Sequence, residues 1–133
     1  MNKRKLYYSI IDQLPEKEFC IFAGPRQSGK TVLLSQIADF LKKKNERVTT
    51  ITLEDPLVLN RLNEHPEKIF DFFITDRSKK QYLLMDEIQY LKDPSNFLKL
   101  LYDLHHPWLK IVATGSSAFY IDKKFDDSLA GRK

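Results

Sequence analysis

Apolar and polar positions follow two rhythms along this chain. Leu6, Ile10 and Leu14, with Tyr7 and Ile11 beside them, recur at helical spacing, and Pro15 ends the run. This predicts a short amphipathic helix. Phe19 to Ala23 is instead a continuous apolar segment, as in strands buried on both faces, and Gly24 punctuates its end. From Lys30 to Lys43 the residues Leu33, Leu34, Ile37, Ala38 and Leu41 make one helical face. Lys42, Lys43 and Lys44 suit the negative end of that helix, and Asn45 supplies a stop. Val48 to Leu53 is rich in β-branched residues and alternates Thr49, Ile51 and Leu53 with Val48, Thr50 and Thr52, so it predicts a strand with one wetter face, at the sheet edge.

Asp55-Pro56 opens a loop and a helix, and Ile69, Phe70 and Phe73 predict a second helix around Pro66 to Thr75. Asp76 to Lys80 is a polar connection. Tyr82 to Met85 is another continuous apolar run, closed by Asp86-Glu87. Phe97, Leu98, Leu101 and Leu104 place a helix over Pro94 to His105, and Leu109 to Thr114 reads as the fourth strand. Strands alternating with helices mean right-handed crossovers, hence an α/β fold with a mainly parallel sheet of about four strands covered by helices on both faces.

Composition narrows the setting. A chain of 133 residues with 42% hydrophobic content is the length of one domain and can bury one core. The net charge of +4 is spread along the sequence and favours anionic partners without selecting one. Cys20 is the sole cysteine and lies within an apolar run, so no internal disulfide forms and a reducing compartment fits. The apolar stretch after Lys3, Arg4 and Lys5 is broken at Ser9, Asp12 and Gln13, unlike a signal peptide, and no segment approaches the roughly 20 apolar residues of a membrane span. The sequence reads as cytoplasmic, with no membrane partner. It turns polar after Gly115 and stops at Gly131-Arg132-Lys133 without a closing element, which reads as the N-terminal part of a longer protein.

Candidate chemistry begins at Gly24-Pro25-Arg26-Gln27-Ser28-Gly29-Lys30-Thr31, which matches the spacing G-x-x-x-x-G-K-[ST] between a buried strand and an amphipathic helix. Glycines at both ends let the backbone curl so that N–H groups of Gly24, Arg26, Gln27, Ser28 and Gly29 point inward at phosphate oxygens, and the helix N-terminus adds to the field. Lys30 would reach the β- and γ-phosphates of ATP, and the Thr31 hydroxyl would ligate Mg²⁺. The plainer reading, a glycine turn before an ordinary helix, does not account for the lysine and hydroxyl following in order.

Asp86 and Glu87 close an apolar strand, where phosphate-binding ATPases carry their second motif. Asp86 would hold Mg²⁺ through its water shell, while Glu87 would orient and deprotonate the attacking water. An isolated Asp-Glu pair usually only starts a helix; the strand before it and the phosphate loop give this one its meaning. A water-activating glutamate also argues against a small-molecule kinase. The fourth strand ends in Thr114-Gly115-Ser116-Ser117, small hydroxyl residues placed where a γ-phosphate or water could be sensed, although a Ser- and Gly-rich turn has the same composition.

Together, Gly-Pro-Arg-Gln-Ser-Gly-Lys-Thr, Leu-Leu-Met-Asp-Glu-Ile-Gln, Ala-Thr-Gly-Ser-Ser-Ala and Ser-Leu-Ala-Gly-Arg resemble the AAA-type domain of a widespread prokaryotic family of predicted ATPases, from about Phe19 to Arg132. The resemblance implies a three-layer P-loop NTPase core in which the Ser116 strand lies between the phosphate-loop strand and the Asp86 strand, with the Val48 strand outermost. It implies a continuation into a fifth strand, a helical portion and a separate C-terminal domain, so that the phosphate-loop strand here is an exposed edge open to self-association. It places Ser116 or Ser117 at the sensor position, where many AAA-type ATPases have asparagine. Arg132 matches the family's Gly-Arg motif and is a candidate γ-phosphate contact, in cis or across a subunit interface.

Other residues weigh less. His105 and His106 are adjacent on a helix, point in different directions and have no further ligand at metal spacing. Trp108 reads as packing at the entrance to the last strand. Lys42 to Lys44 and Lys123-Lys124 could touch nucleic acid, but solvated surface is the commoner role. Two functions follow: an ATPase coupling turnover to a C-terminal domain of the same protein, or a nucleotide-dependent switch or docking module that binds ATP or ADP and rarely turns over.

Overall fold

The computed structural model describes residues 3–23 and 29–115. Helix α1 (Lys3–Gln13) leads into β1 (Cys20–Ala23), followed by α2 (Lys30–Lys43), β2 (Arg47–Thr52), α3 (Pro56–Glu64), a 3₁₀ turn at Pro66–Asp71, β3 (Gln81–Asp86), a 3₁₀ turn at Ile88–Tyr90, α4 (Pro94–His105) and β4 (Leu109–Gly115). The strands form one sheet in the order β1-β4-β3-β2, and every pairing is parallel. This is the order the family resemblance implies, with β2 at the edge as its alternating pattern predicts.

The period of two along the strands splits the apolar residues between two cores. On one face Leu83 and Met85 of β3 and Leu109, Ile111 and Ala113 of β4 pack with Val58 and Leu62 of α3 and with Phe97, Leu98 and Leu101 of α4. On the other face Tyr82, Leu84 and Val112 pack against Leu33, Leu34, Ile37 and Leu41 of α2 and Ile10 of α1. Both central strands are buried along their whole length, hence the apolar runs Tyr82–Met85 and Ile111–Ala113 within them. Helices therefore cover both faces.

Local signals set the boundaries. Helix α2 ends where Asn45 adopts φ 60°, a left-handed conformation asparagine tolerates well. The Asp55 side chain caps α3 by accepting from the Leu57 N–H at 2.9 Å, and Asp93 caps α4 through the Asn96 N–H at 3.1 Å, each just before a proline at the first helical position. The helix expected around Pro66 to Thr75 is instead a single 3₁₀ stretch ending at Asp71. Only Ile69 in it is fully buried. Phe70 turns toward His105 and Trp108 with ring centroids 4.9 and 5.5 Å away, and Phe73 sits edge-on to Phe70 at 5.9 Å, so aromatic packing rather than a continuous apolar stripe shapes this segment.

Strand β4 carries a charged residue that belongs to neither apolar core. Lys110 faces the side of the sheet carrying α1, is 1% exposed, and donates from Nζ to the carbonyls of Gln13 and Glu16 at 2.8 Å and to that of Glu18. One buried ammonium thereby satisfies three carbonyls of the α1–β1 connection. Burial, the largest influence, pushes its pKa below the usual lysine value. Cys20 is buried nearby, its Sγ 3.4 Å from Gln13 Oε1, and burial raises its thiol pKa. Trp108 packs in the core at the start of β4, as its position predicts.

Candidate functional site

Two chain segments far apart in sequence meet at the C-terminal end of the sheet. Gly29 stands before α2 with φ 88° and ψ 16°, a conformation that strains any residue with a Cβ, and its carbonyl accepts the Leu33 N–H at 3.0 Å. Lys30 and Thr31 open the helix, and α2 is fixed against the sheet by Leu33, Leu34 and Ile37, so both polar side chains lie beside the ends of β3 and β4.

Asp86 ends β3 and Glu87 follows it. Thr31 Oγ1 donates to Asp86 Oδ2 at 2.7 Å, and Lys30 Nζ lies 3.3 Å from Glu87 Oε1. Lys30, Asp86 and Glu87 are each at most 6% exposed. Burial makes the pairing obligatory, because an unpaired charge held away from water is costly.

Thr114 ties the acidic pair together. Its fully buried hydroxyl donates to Asp86 Oδ1 and accepts the Glu87 N–H at 3.0 Å. The register pairs Met85 with Ala113, which brings Thr114 level with Asp86 across the β3–β4 ladder. Asp86 thus receives one hydroxyl on each carboxylate oxygen, from Thr31 and from Thr114. Beyond Asp86 the chain leaves the strand abruptly: Glu87 has φ 62° and ψ 51°, and its carbonyl accepts from the Tyr90 N–H at 3.3 Å. Gln89 then folds back, its Nε2 3.3 Å from Glu87 Oε2.

Of the residues expected from sequence, Gly29, Lys30, Thr31, Asp86 and Glu87 are brought together. Gly24, Pro25, Arg26, Gln27, Ser28, Ser116, Ser117 and Arg132, like Lys123 and Lys124, lie outside the described residues. Thr114 was legible as part of a hydroxyl-rich strand end, but its bridging role depends on strand register. Gln89 was legible only as a letter of the motif around Asp86.

A groove of about 630 Å³ runs between α1 and α2, lined by Lys3, Tyr7, Tyr8, Val32, Gln36 and Phe40 among others. Its Lys3 end adjoins Gly29, for the Lys3 side chain lies where a Cβ on Gly29 would stand. The His105–His106 pair is not part of the site. His105 is buried among Phe70 and Trp108, and His106 stacks on Tyr102 at 4.9 Å with Nδ1 3.0 Å from the Tyr102 carbonyl oxygen. Among the described residues no helix is long and apolar enough to cross a membrane.

Comparison with known proteins agrees with this fold. The family described as an AAA domain matches residues 16–133. An uncharacterized protein of Methanocaldococcus jannaschii is 35% identical over 94% of this chain, and one of Haemophilus influenzae is 27% identical over 99% of it. The chain spans 28% and 34% of those two proteins, about a third of their length. Among solved structures, C. elegans PCH-2 superposes with a TM-score of 0.65 at 18% identity, over 95% of this chain and 40% of that one. AMPPCP-bound DnaA from Aquifex aeolicus gives 0.59 at 18% identity, over 98% and 45%, and a Drosophila ORC chain from a complex with DNA gives 0.60 at 13% identity, over 96% and 83%. These similarities establish the AAA-type P-loop fold.

Proposed function

The chain belongs to the AAA domain family, and from that premise we propose that it binds ATP with Mg²⁺ and hydrolyses it. The observation that carries this reading is the meeting of Lys30 and Thr31, from the start of α2, with Asp86 and Glu87, from the end of β3. A cation, a hydroxyl and two carboxylates are thereby gathered beside a glycine that begins a helix. In this reading the N–H groups of Gly24, Arg26, Gln27, Ser28 and Gly29 cradle the phosphates and Lys30 binds the β- and γ-phosphates. The nucleoside extends from Gly29 into the groove between α1 and α2, where Tyr7, Tyr8 and Phe40 offer apolar faces.

The hydroxyl of Thr31 and the carboxylate of Asp86, 2.7 Å apart, are oxygen donors of the kind Mg²⁺ takes, and the ion needs only one or two protein groups when phosphates and water complete its shell. Bound there, it would neutralise charge on the phosphate oxygens. Glu87 accepts a proton from the attacking water, whose oxygen bonds to the γ-phosphorus while the bond to the bridging oxygen breaks, leaving ADP and phosphate. Ser116 or Ser117 senses the γ-phosphate, and Arg132 contacts it in cis or from a second copy. Coupling of turnover to a C-terminal domain, and a cytoplasmic setting, complete the proposal.

Single-turnover hydrolysis of ATP at protein excess, with and without Mg²⁺ and with and without DNA, tests it. DNA is included because the ORC neighbour was solved bound to it. Lys30→Ala should abolish ATP binding, and Glu87→Gln should retain bound ATP uncleaved. Full turnover by Glu87→Gln would sink the mechanism. ATP binding without hydrolysis under every condition would move the reading to a nucleotide-dependent switch.

A further inference from the structure

Both carboxylate oxygens of Glu87 are engaged, by groups of different kinds. Oε1 faces Lys30, while Oε2 lies 3.3 Å from Gln89 Nε2. If Lys30 serves the phosphates, its contact with Glu87 must yield when nucleotide enters, because one ammonium cannot keep its closest approach to both. The Gln89 contact is of another kind. It is local, spanning two residues, and the backbone enforces it.

Glu87 is held left-handed, a conformation disfavoured for a residue with a side chain. Its N–H is anchored on Thr114, and the turn that follows is pinned by Ile88 and Leu91, both buried in the α4-side core. The left-handed residue and the pinned turn together return the Gln89 side chain to Glu87. A neutral amide also suits the task, for it can hold one oxygen without neutralising the carboxylate as a second cation would.

We propose that Gln89 is a positioning residue for hydrolysis: its Nε2–H fixes Oε2 of Glu87 and thereby leaves Oε1 as the oxygen that takes the proton from water. This rests on the reading of Glu87 as the general base. The proton passes from water to Oε1, the water oxygen bonds to the γ-phosphorus, and ADP leaves with the bridging oxygen. Gln89 itself exchanges no proton.

The test is single-turnover hydrolysis and equilibrium ATP binding for the wild type, Gln89→Met, Gln89→Glu, Glu87→Gln and the double variant Glu87→Gln with Gln89→Met. Methionine removes the donor at similar volume, and glutamate keeps the shape but presents an acceptor. Loss of one orienting hydrogen bond should lower the single-turnover rate about tenfold in Gln89→Met. Gln89→Glu should fall at least as far, while both bind ATP within about twofold of the wild type, since binding is not the step affected. In the Glu87→Gln background the Gln89→Met change should cost nothing further, as required of a residue that acts only through Glu87.

Wild-type rates in either single Gln89 variant, or an equal loss with and without Glu87, would overturn the proposal while leaving Glu87 as the base. A wild type without hydrolysis, or full turnover by Glu87→Gln, would remove the base and this inference with it.

Discussion

Lys30 Nζ and Glu87 Oε1 stand 3.3 Å apart in a site where both side chains are nearly excluded from water. The ammonium comes from the first residue of α2 and the carboxylate from the first residue after β3. In the absence of nucleotide, each is the other's counter-charge. On the reading proposed above, a phosphate that claims Lys30 displaces Glu87 and frees the carboxylate to meet water.

That competition has a measurable consequence. Glu87→Gln removes the anion competing for Lys30, so ATP should bind more tightly than to the wild type, by about tenfold if the pair is worth near 1.4 kcal/mol. Titration with a non-hydrolysable ATP analogue separates this from trapping. Unchanged or weaker affinity would show that the pair does not oppose binding.

Thr114 serves two partners with one hydroxyl. Thr114→Val leaves the Glu87 N–H and Asp86 Oδ1 each without that partner, which should cost about 1–3 kcal/mol of stability in urea denaturation. Thr114→Ser keeps the hydroxyl and should retain most of the stability. A larger loss in Thr114→Ser than in Thr114→Val would place the effect in the methyl group rather than the hydrogen bonds.

Lys110 should be among the least replaceable residues of β4. Lys110→Met preserves the stem but strands the carbonyls of Gln13, Glu16 and Glu18, and a penalty of about 3 kcal/mol is expected. Hydrogen exchange should show loosening first in α1 and the segment joining it to β1. Loosening confined to β2 would contradict this assignment.

His105 couples stability to pH. Burial, then the Arg77 charge, lowers its pKa from 6.5, with Glu67, 3.7 Å away, opposing them in part. The unfolded chain therefore binds the proton more readily than the folded one. The stabilisation is fully present above pH 6.5 and is lost as pH falls from there through the lowered folded value. Thermal melts should show a slope over that range that flattens in His105→Phe; an unchanged slope would assign it to other groups.

Much of this architecture was written in the residues. The apolar runs at Tyr82–Met85 and Ile111–Ala113 are legible because strands buried on both faces have no polar face to interrupt them. The stripe in α2 and the proline starts of α3 and α4 are legible because capping and periodicity are local. The segment after Pro66 reads as a longer helix because its phenylalanines fit helical spacing, while the partners of Phe70, His105 and Trp108, lie in another part of the chain.

The sequence by itself determined the chemistry available: a glycine before a lysine and a threonine at a helix start, and two carboxylates after a strand. Only the tertiary structure decided who meets whom. Parallel pairing of β3 with β4 sets Thr114 beside Asp86, and packing of α2 on the sheet brings Lys30 to Glu87. A left-handed Glu87 turns Gln89 back onto its carboxylate. Such contacts depend on strand register, helix docking and one backbone dihedral, none of which residue type alone fixes. The same holds for Lys110, a charged residue in β4 whose carbonyl partners come from the α1–β1 connection that closes over it.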